Sequence, residues 1–309
     1  MIKVGLYSIT YSGRWYKGGH LTIKDVIRKA KDLGYDSIEP ELTRPHLSPL
    51  DVDEKFVREI RKFAESEGIE IPVAAVYNNF TSPIPERRES ELLMLHEQIR
   101  LARNLGVKIV RVFAAWRGTT IRDGVATYDM VKDYEKTQNL GSTKLERWNW
   151  VRECLKEAVG WAEKYGVVLA LQNHNPLIEN YEDMLAMVRE VSSEYLKCSL
   201  DAPCEPYQED DYIIKAVKAT GKLQIHSHFN GEWIRNSKGK LIYIKHRSDA
   251  VLANYPVFIK ALKESGFNGY INYEFCHSAL ENHQSAGIEY VDRQAAYALE
   301  YMRNLIETT

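Results

Sequence analysis

Four consecutive β-like segments of the sequence end in side chains that bind metal ions or move protons. The end residues, in chain order, are Gln172 and His174, then Asp201, then His226 and His228, and then Glu274. Side chains alternate between the two faces of a strand, so apolar Leu169 and Leu171 take one face and the polar residues take the other. Inward polar groups cost free energy unless they are paired or bind a metal. The pattern therefore predicts a site for one divalent cation.

The ligand types do not select a single metal. Oxygen and imidazole ligands suit Mn²⁺, Mg²⁺, Co²⁺ and Zn²⁺, and we expect Mn²⁺ first, with the other three as alternatives. One inward histidine or aspartate is more often a structural hydrogen-bonding residue. Four successive strands that share this feature at the same end favour the metal site.

A recurring glycine indicates the elements that carry these residues. Helix-like stretches end at Gly34, Gly68, Gly106, Gly166, Gly221 and Gly266, and a β-like run follows each. Glycine after a helix adopts the left-handed conformation at little cost and reverses the chain. The strands are expected at about 3–9, 36–41, 71–77, 107–114, 167–174, 196–202, 223–229 and 269–275. The helices are expected at about 22–33, 52–67, 87–105, 145–165, 180–194, 208–219, 255–265 and 288–306.

Eight alternating units in 309 residues predict one α/β domain over 1–309, a (β/α)8 TIM barrel. An open doubly wound sheet is the rival, but no glycine-rich phosphate turn follows the first strand. Two connections, at about 116–144 and 230–254, are longer than usual and leave the carboxyl ends of strands, where barrel enzymes place their sites. They are expected to be extended loops that act either as lids over a sugar or as oligomer contacts. The second is expected to contain a hairpin.

Composition narrows the function classes. The formal net charge is −2, which gives no electrostatic reason to expect nucleic acid or an anionic membrane as partner. No apolar run approaches the length of a membrane span, and we do not expect a signal peptide, because the apolar stretch at residues 1–7 is short and quickly followed by polar residues. The four cysteines form no C-x-x-C pair, as is typical of reduced thiols. We therefore expect a cytoplasmic protein.

The strand-end pattern resembles the sugar phosphate isomerase/epimerase family, whose fold is the xylose isomerase-like TIM barrel. The resemblance extends from Val4-Gly5-Leu6, through Gly34-Tyr35-Asp36-Ser37-Ile38-Glu39, to Tyr273-Glu274-Phe275. It implies an enzyme that abstracts a proton next to the carbonyl of a keto-sugar. It also implies metal ligands at Gln172, Asp201, His228 and Glu274, with the choice between His226 and His228 left open.

Gln172 departs from this family, whose epimerases have a glutamate at the position. A neutral amide can bind a metal through oxygen but cannot act as a general base. We therefore expect His174 and Glu274 to divide the acid–base work. Either Glu39 or Glu41 could instead replace the missing base. The substrate-binding candidates, from the strand ends and the loops after them, are Glu39, Glu41, Asn79, Arg111, Trp116, His226 and Arg235.

The sequence is compatible with several functions besides isomerisation. The segments Gln172-Asn173-His174 and Ser227-His228-Phe229-Asn230-Gly231-Glu232 are similar to the catalytic subunits of C-glycoside deglycosidases, which cleave a carbon–carbon bond together with a small partner subunit. A lyase that starts from the same enolate, either a dehydratase or such a deglycosidase, is the main alternative to an isomerase. A nuclease and a non-catalytic sugar-binding barrel are weaker alternatives. The substrate is expected to be an unphosphorylated carbohydrate, and family resemblance alone suggests a homo-oligomer.

Overall fold

Eight short parallel strands form the central sheet of the computed structural model, which describes residues 1–245 and 251–309. In chain order they are Lys3–Tyr7, Ser37–Glu39, Val73–Ala75, Ile109–Val112, Val168–Gln172, Leu196–Ser199, Gln224–Phe229 and Tyr270–Tyr273. The hydrogen-bonded order runs from the second strand through the first, eighth, seventh, sixth, fifth and fourth to the third. Parallel bridges from Ser37 to Glu70 and from Glu41 to Ala75 join the two end strands. The predicted TIM barrel is therefore confirmed.

Nine α-helices are present among the described residues: Ile23–Leu33, Glu54–Glu67, Pro85–Leu105, Asp129–Gln138, Lys144–Tyr165, Tyr181–Val191, Asp210–Thr220, Tyr255–Glu264 and Ile288–Thr308. Eight of them match the predicted helices to within a few residues. Gly34, Gly68, Gly106 and Gly166 end their helices in the left-handed conformation, with φ from 66° to 92°, as the glycine pattern predicted. None of the described helices combines the length and apolar character that a membrane crossing requires.

Seven of the eight barrel strands end earlier than predicted at their carboxyl ends, and the seventh ends at Phe229 as predicted. The sixth strand stops at Ser199, and a 3-10 turn at Ala202–Cys204 follows it. Pro203 in that turn has no N–H to donate to a ladder, which helps to explain why the strand does not continue. Asp201, His174 and Glu274 consequently lie just beyond the last ladder residues of their strands.

The connection at 116–144, predicted to be a long loop, contains regular structure. The antiparallel strands Thr120–Arg122 and Val125–Thr127 pair with each other, and the helix Asp129–Gln138 follows. Asp123 and Gly124 form the turn with φ of 52° and 79°. An Asp-Gly pair with both residues at positive φ is a strong hairpin signal, and the sequence interpretation overlooked it.

The connection at 230–254 contains the predicted hairpin. Glu232–Arg235 pairs antiparallel with Leu241–Ile244, and Gly239 lies in the turn at a φ of 76°. The part of this prediction that covers 246–250 falls outside the described residues.

Candidate active site

Three of the four predicted metal ligands are in contact at the ends of the fifth, sixth and seventh strands. The Nδ1 atom of His228 lies 3.1 Å from Oδ2 of Asp201 and 3.4 Å from Nε2 of Gln172. The Gln172 amide also donates to Oδ2 of Asp201. Oδ1 of Asp201 accepts the backbone N–H of His228 at 2.7 Å, which fixes the orientation of the carboxylate. All three side chains are buried.

Glu274, the fourth predicted ligand, is half-buried just past the eighth strand. Its backbone N–H donates to the carbonyl of Phe229, but its carboxylate forms no hydrogen bond with any residue that the structure describes. Loss of solvent raises the pKa of Glu274, the His228 imidazole opposes that rise, and the Asp201 carboxylate adds to it. Glu274 is therefore next to the cluster and available to a ligand.

The opposite edge of His228 faces a second buried carboxylate. Oε2 of Glu39 lies 2.9 Å from Nε2 of His228 and 3.1 Å from Nε2 of His226, and it accepts from the Asn272 amide at 2.7 Å. Burial tends to raise the pKa of Glu39, but the two imidazoles more than offset it and hold the pKa well below its usual value. Ligand atoms of Glu39, His226 and His228 lie within 4.8 Å of one another, so this trio could also hold an ion.

The hydrogen bonds favour the Nδ1 side of His228 for a cation. A histidine ligand commonly donates its other N–H to a carboxylate, which fixes its tautomer, and Glu39 is placed to accept from Nε2. Both histidines face Glu39 through Nε2, but Nδ1 of His226 lies 3.0 Å from the Ser199 hydroxyl, whereas Nδ1 of His228 faces the other predicted ligands Asp201 and Gln172. His228 is therefore the better ligand of the two histidines.

Two further features of the cluster fit a divalent cation. Oε1 of Gln172 is buried without a hydrogen-bond partner, and a half-turn of the amide would exchange it with Nε2 and direct it to the cluster. Although burial lowers the pKa of His228, Glu39 and Asp201 raise it to about 10. The cluster thus attracts positive charge, which a bound cation could supply in place of the proton on Nδ1.

Gly5 on the first strand makes room beneath the cluster. A Cβ atom at this position would lie 2.0 Å from Oδ1 of Asn272 and 2.4 Å from the Ser37 hydroxyl. Such contacts are far inside van der Waals distance, so only glycine lets Asn272 reach Glu39. The first and eighth strands therefore support the cluster through this close approach.

The first four strands contribute a different network. The buried Arg111 donates to the Tyr7 hydroxyl at 2.9 Å and to the Val76 carbonyl at 3.0 Å. The hydroxyls of Tyr7 and Tyr77 lie 2.6 Å apart, and Tyr77 donates to Oε2 of Glu41 at 3.1 Å. Arg111 is therefore held by the protein, 4.2 Å from the centre of the Phe113 ring.

The buried Glu41 carboxylate is hydrogen-bonded through Oε2, whereas Oε1 has no hydrogen-bond partner among the described residues. Arg14 donates to Oε2 at 3.0 Å, and Nδ1 of His46 lies 3.0 Å from Oε1. Oε2 of Glu41 is thus bound by Arg14 and Oε2 of Glu39 by two histidines, whereas Oε1 of each has no hydrogen-bond partner among the described residues. The role of either carboxylate as a second base stays a prediction.

His174 lies beside the aromatic side chains of the fourth strand end. Its ring centre is 5.0 Å from that of Phe113 and 5.4 Å from that of Trp116. Nδ1 donates to the Asn175 carbonyl at 2.5 Å, so Nε2 carries the lone pair of the neutral ring. Loss of solvent lowers the pKa of His174 to about 4.

Two of the predicted substrate-binding residues have other contacts. The Asn79 side chain donates to the Trp116 carbonyl and accepts from Thr81, which organises the loop after the third strand. Arg235 forms an ion pair with Glu300 on the last helix and donates to the Gly239 carbonyl. The structure does not bring Arg235 to the strand-end cluster.

The sequence interpretation missed a clamp between the fifth and sixth strands. Oδ1 of Asn173 accepts the Asp201 N–H at 2.7 Å, and its amide donates to the Asp201 carbonyl at 3.1 Å and to Glu205 at 2.6 Å. The other oxygen of Glu205 accepts from the Tyr212 hydroxyl at 2.7 Å. Desolvation raises the pKa of this buried carboxyl to about 7, against the hydrogen bonds from Tyr212 and Asn173. Alternation placed Asn173 away from the cavity, so only its position between Gln172 and His174 could have indicated a role.

Comparisons with known proteins agree with this architecture. Residues 27–305 match the model of the family described as "Xylose isomerase-like TIM barrel". A D-psicose 3-epimerase from Clostridium cellulolyticum H10 is similar, with 21% identity, a TM-score of 0.71 and coverage of 98% of this chain and 99% of that one. So is a 3-keto-D-glucoside 4-epimerase from E. coli, with 17% identity, a TM-score of 0.68 and coverage of 98% and 100%.

A third solved structure is the IOLI protein, which was determined with a bound zinc atom. It has 17% identity to this chain, a TM-score of 0.68 and coverage of 98% of this chain and 99% of that one. No curated protein matches the sequence. At these identities the solved structures establish the fold.

Proposed function

Because the chain belongs to the xylose isomerase-like TIM barrel family, we propose that it is a divalent-metal-dependent enzyme that isomerises or epimerises a keto-sugar through proton abstraction beside the carbonyl. The observation that carries this proposal is the convergence of Gln172, Asp201 and His228, with Glu274 beside them, at the carboxyl ends of four successive strands. Two of the similar solved structures are a D-psicose 3-epimerase and a 3-keto-D-glucoside 4-epimerase, and another holds zinc. These support a sugar substrate and a metal.

The cation would be held by Oε1 of Gln172, Oδ2 of Asp201, Nδ1 of His228 and the carboxylate of Glu274, and we expect Mn²⁺ first. When bound, the ion would polarise a carbonyl or hydroxyl of the substrate as a Lewis acid. Glu39 would orient His228 by accepting from Nε2. The Asn173 clamp would keep Gln172 and Asp201 in register across the two strands.

We assign the proton transfers to His174 and Glu274. The Nε2 lone pair of His174 can accept a proton from the carbon beside the carbonyl. The Glu274 carboxyl, which has no hydrogen-bond partner among the described residues, can donate or accept the second proton. Gln172 cannot share this work because its amide has no suitable pKa.

Elimination from the same enolate is the second candidate function. Gln172 favours it, because a lyase does not need two equivalent carboxylate bases on either side of the substrate. A dehydratase or a C-glycoside lyase would use the same proton abstraction and would then expel a leaving group from the adjacent carbon.

Deuterium exchange tests the proposal directly. The metal-loaded protein is incubated in D2O with a panel of keto-sugars and oxidised glucosides, and both exchange and products are followed by NMR. We expect deuterium at a carbon beside the carbonyl, lost in Glu274→Gln and kept in the exposed control Glu59→Gln. The products then separate an epimer from an eliminated fragment. Bound metal without exchange for any member of the panel would refute enolising chemistry for this substrate class.

His174 has a test of its own. We expect His174→Ala to slow exchange by about 100-fold or more, in the range typical of general acid–base catalysis. The exposed His20→Ala is the matched control. Near-normal exchange in His174→Ala would remove His174 from the mechanism and leave Glu274 as the only assigned proton carrier.

A further inference from the structure

A cavity opens beside the strand-end cluster, on the side of the first four strands. Its volume is about 600 Å³, within the range of about 300–1,000 Å³ that encloses drug-sized ligands. None of Gln172, Asp201, His228 and Glu274 is among the described residues that line it. The cavity therefore offers space beyond that needed by a sugar ring over the cluster.

Two aromatic residues connect the cavity to the proposed reaction centre. Trp116 lines the cavity, and its ring centre lies 5.4 Å from that of His174 and 5.3 Å from that of Tyr77. Tyr77 also lines the cavity and hydrogen-bonds to Tyr7 at the end of the first strand. A substrate held at His174 could therefore extend past Trp116 into this space.

The wall of the cavity contains polar side chains as well as a set of large apolar and aromatic ones. Trp15, Leu42 and Met94 line it together with Tyr77 and Trp116. At its rim the side chains of Leu50 and Ile121 are 69% and 60% exposed, although both are large and apolar. Exposed apolar side chains around a concave site are typical of ligand-binding surfaces.

The charged side chains that line the cavity already have partners within the protein. Arg14 is paired with Glu41, and Arg44 is paired with Asp51. Desolvation raises the pKa of Glu91, which accepts the Asn79 N–H. Among the described residues that line the cavity, both arginines are thus paired with carboxylates and neither is left for a phosphate or a carboxylate, so the occupant should be uncharged.

We propose that this cavity is a subsite for an uncharged aromatic group attached to the reacting sugar, so that the substrate is an aryl glycoside rather than a free or phosphorylated sugar. This inference rests on the proposed function for the position of the sugar. The aromatic walls would stack on the ring of the aryl group, and burial of its apolar surface would supply most of the binding free energy.

Equilibrium binding tests the subsite without requiring turnover. The metal-loaded protein is titrated by calorimetry with 4-nitrophenyl β-D-glucopyranoside, methyl β-D-glucopyranoside and glucose 6-phosphate. We expect the aryl glucoside to bind at least about tenfold more tightly than the other two. Leu50→Ser and Met94→Glu should reduce this preference several-fold, whereas Leu145→Ser, which changes an equally exposed leucine elsewhere, should keep it. Thermal melts check that each variant is folded, and Leu50→Ser remains informative if Met94→Glu is not.

Equal binding of the aryl and methyl glucosides, or a preference for the phosphate, would overturn the subsite. A preference that persists in both folded variants would overturn it too. The result is separable from the proposed reaction. Aryl preference without deuterium exchange would keep the subsite and reject the enolising chemistry, whereas exchange without aryl preference would reject only the subsite.

Discussion

The two halves of the barrel mouth differ in how their charged side chains are paired. In the half built by the fifth to eighth strands, no lysine or arginine among the described residues forms an ion pair with Asp201 or Glu274, and His228 takes up the positive charge that they attract. In the half built by the first to fourth strands, Glu41 is paired with Arg14, and Arg111 is held by Tyr7 and a backbone carbonyl. The charged side chains of this half therefore already have partners within the protein, a carboxylate for Arg14 and neutral oxygens for Arg111.

This difference indicates what each half can bind. Buried carboxylates without a protein cation favour a bound cation, since the cost of burying their charge must be offset. A half whose charged side chains already have protein partners, and whose cavity presents large apolar and aromatic side chains, favours an uncharged ligand. One substrate that spans both halves would place its reacting oxygens over the cluster and its apolar part in the cavity.

The largest expected effect is the loss of metal binding in the half built by the fifth to eighth strands. Asp201→Asn removes the charge that faces Nδ1 of His228, and we expect metal affinity to fall by more than about 100-fold. Metal content after dialysis, measured by mass spectrometry, checks this. Asp211→Asn, on an exposed helix position, is the matched control and should keep its metal. A full complement of metal in Asp201→Asn would place the ion elsewhere.

The next expected effect distinguishes a metal ion at Nδ1 of His228 from one at Nε2. Glu39→Gln weakens the hydrogen bond that orients the imidazole, and metal affinity should fall by about 10- to 100-fold without being lost. Gln172→Ala removes a proposed ligand and should also weaken binding. If the ion instead lies between Glu39, His226 and His228, Glu39→Gln would abolish binding and Gln172→Ala would leave it unchanged.

The pH dependence of stability tests the hydrogen bonds of Asn173 with Asp201 and Glu205, which join the fifth and sixth strands. The pKa of Glu205 is raised from 4.5 to about 7, so the folded protein keeps a proton there that the unfolded chain releases. Stability should therefore fall as pH rises from about 4.5 to 7. Relative to Glu205→Gln, the unfolding free energy of the wild type should drop by about 2–3 kcal/mol between pH 4.5 and 8.

Urea unfolding at a series of pH values measures this difference. Glu209→Gln, a neighbouring exposed residue, should follow the wild-type curve. Parallel curves for the wild type and Glu205→Gln would mean that Glu205 has an ordinary pKa in the folded protein.

The smallest expected effect is on stability, in the half built by the first to fourth strands. Tyr77→Phe removes the hydroxyl that contacts Tyr7 and Glu41, and it should lower the unfolding free energy by about 1–2 kcal/mol. Metal content should not change, because this network is separate from the cluster. The exposed Tyr207→Phe is the control. Loss of metal in Tyr77→Phe would show that the two halves are coupled.

Local sequence determined most of the fold. Apolar alternation and the glycines that end helices, such as Gly34 and Gly166, act within a few residues, so eight strands and eight helices could be predicted in order. The same alternation placed Gln172, Asp201, His228 and Glu274 at one end of the barrel. The hairpin at Asp123-Gly124 was also readable from its turn residues, and the helix Asp129–Gln138 was missed.

Only the tertiary structure decided how these residues are paired. That Glu39 faces His228, that Arg14 and His46 pair with Glu41, and that Asn173 reaches Glu205 all depend on side chains brought together by strand register and barrel closure. The separation of Glu39 from His228 is 189 residues along the chain but 2.9 Å in space. Spacing in a sequence fixes which face of a strand a residue occupies, whereas hydrogen bonds across a closed barrel depend on every strand at once. The sequence by itself therefore determined the barrel and the polar side chains at its strand ends. The assembled barrel decided which of those side chains have protein partners and which are left for a ligand.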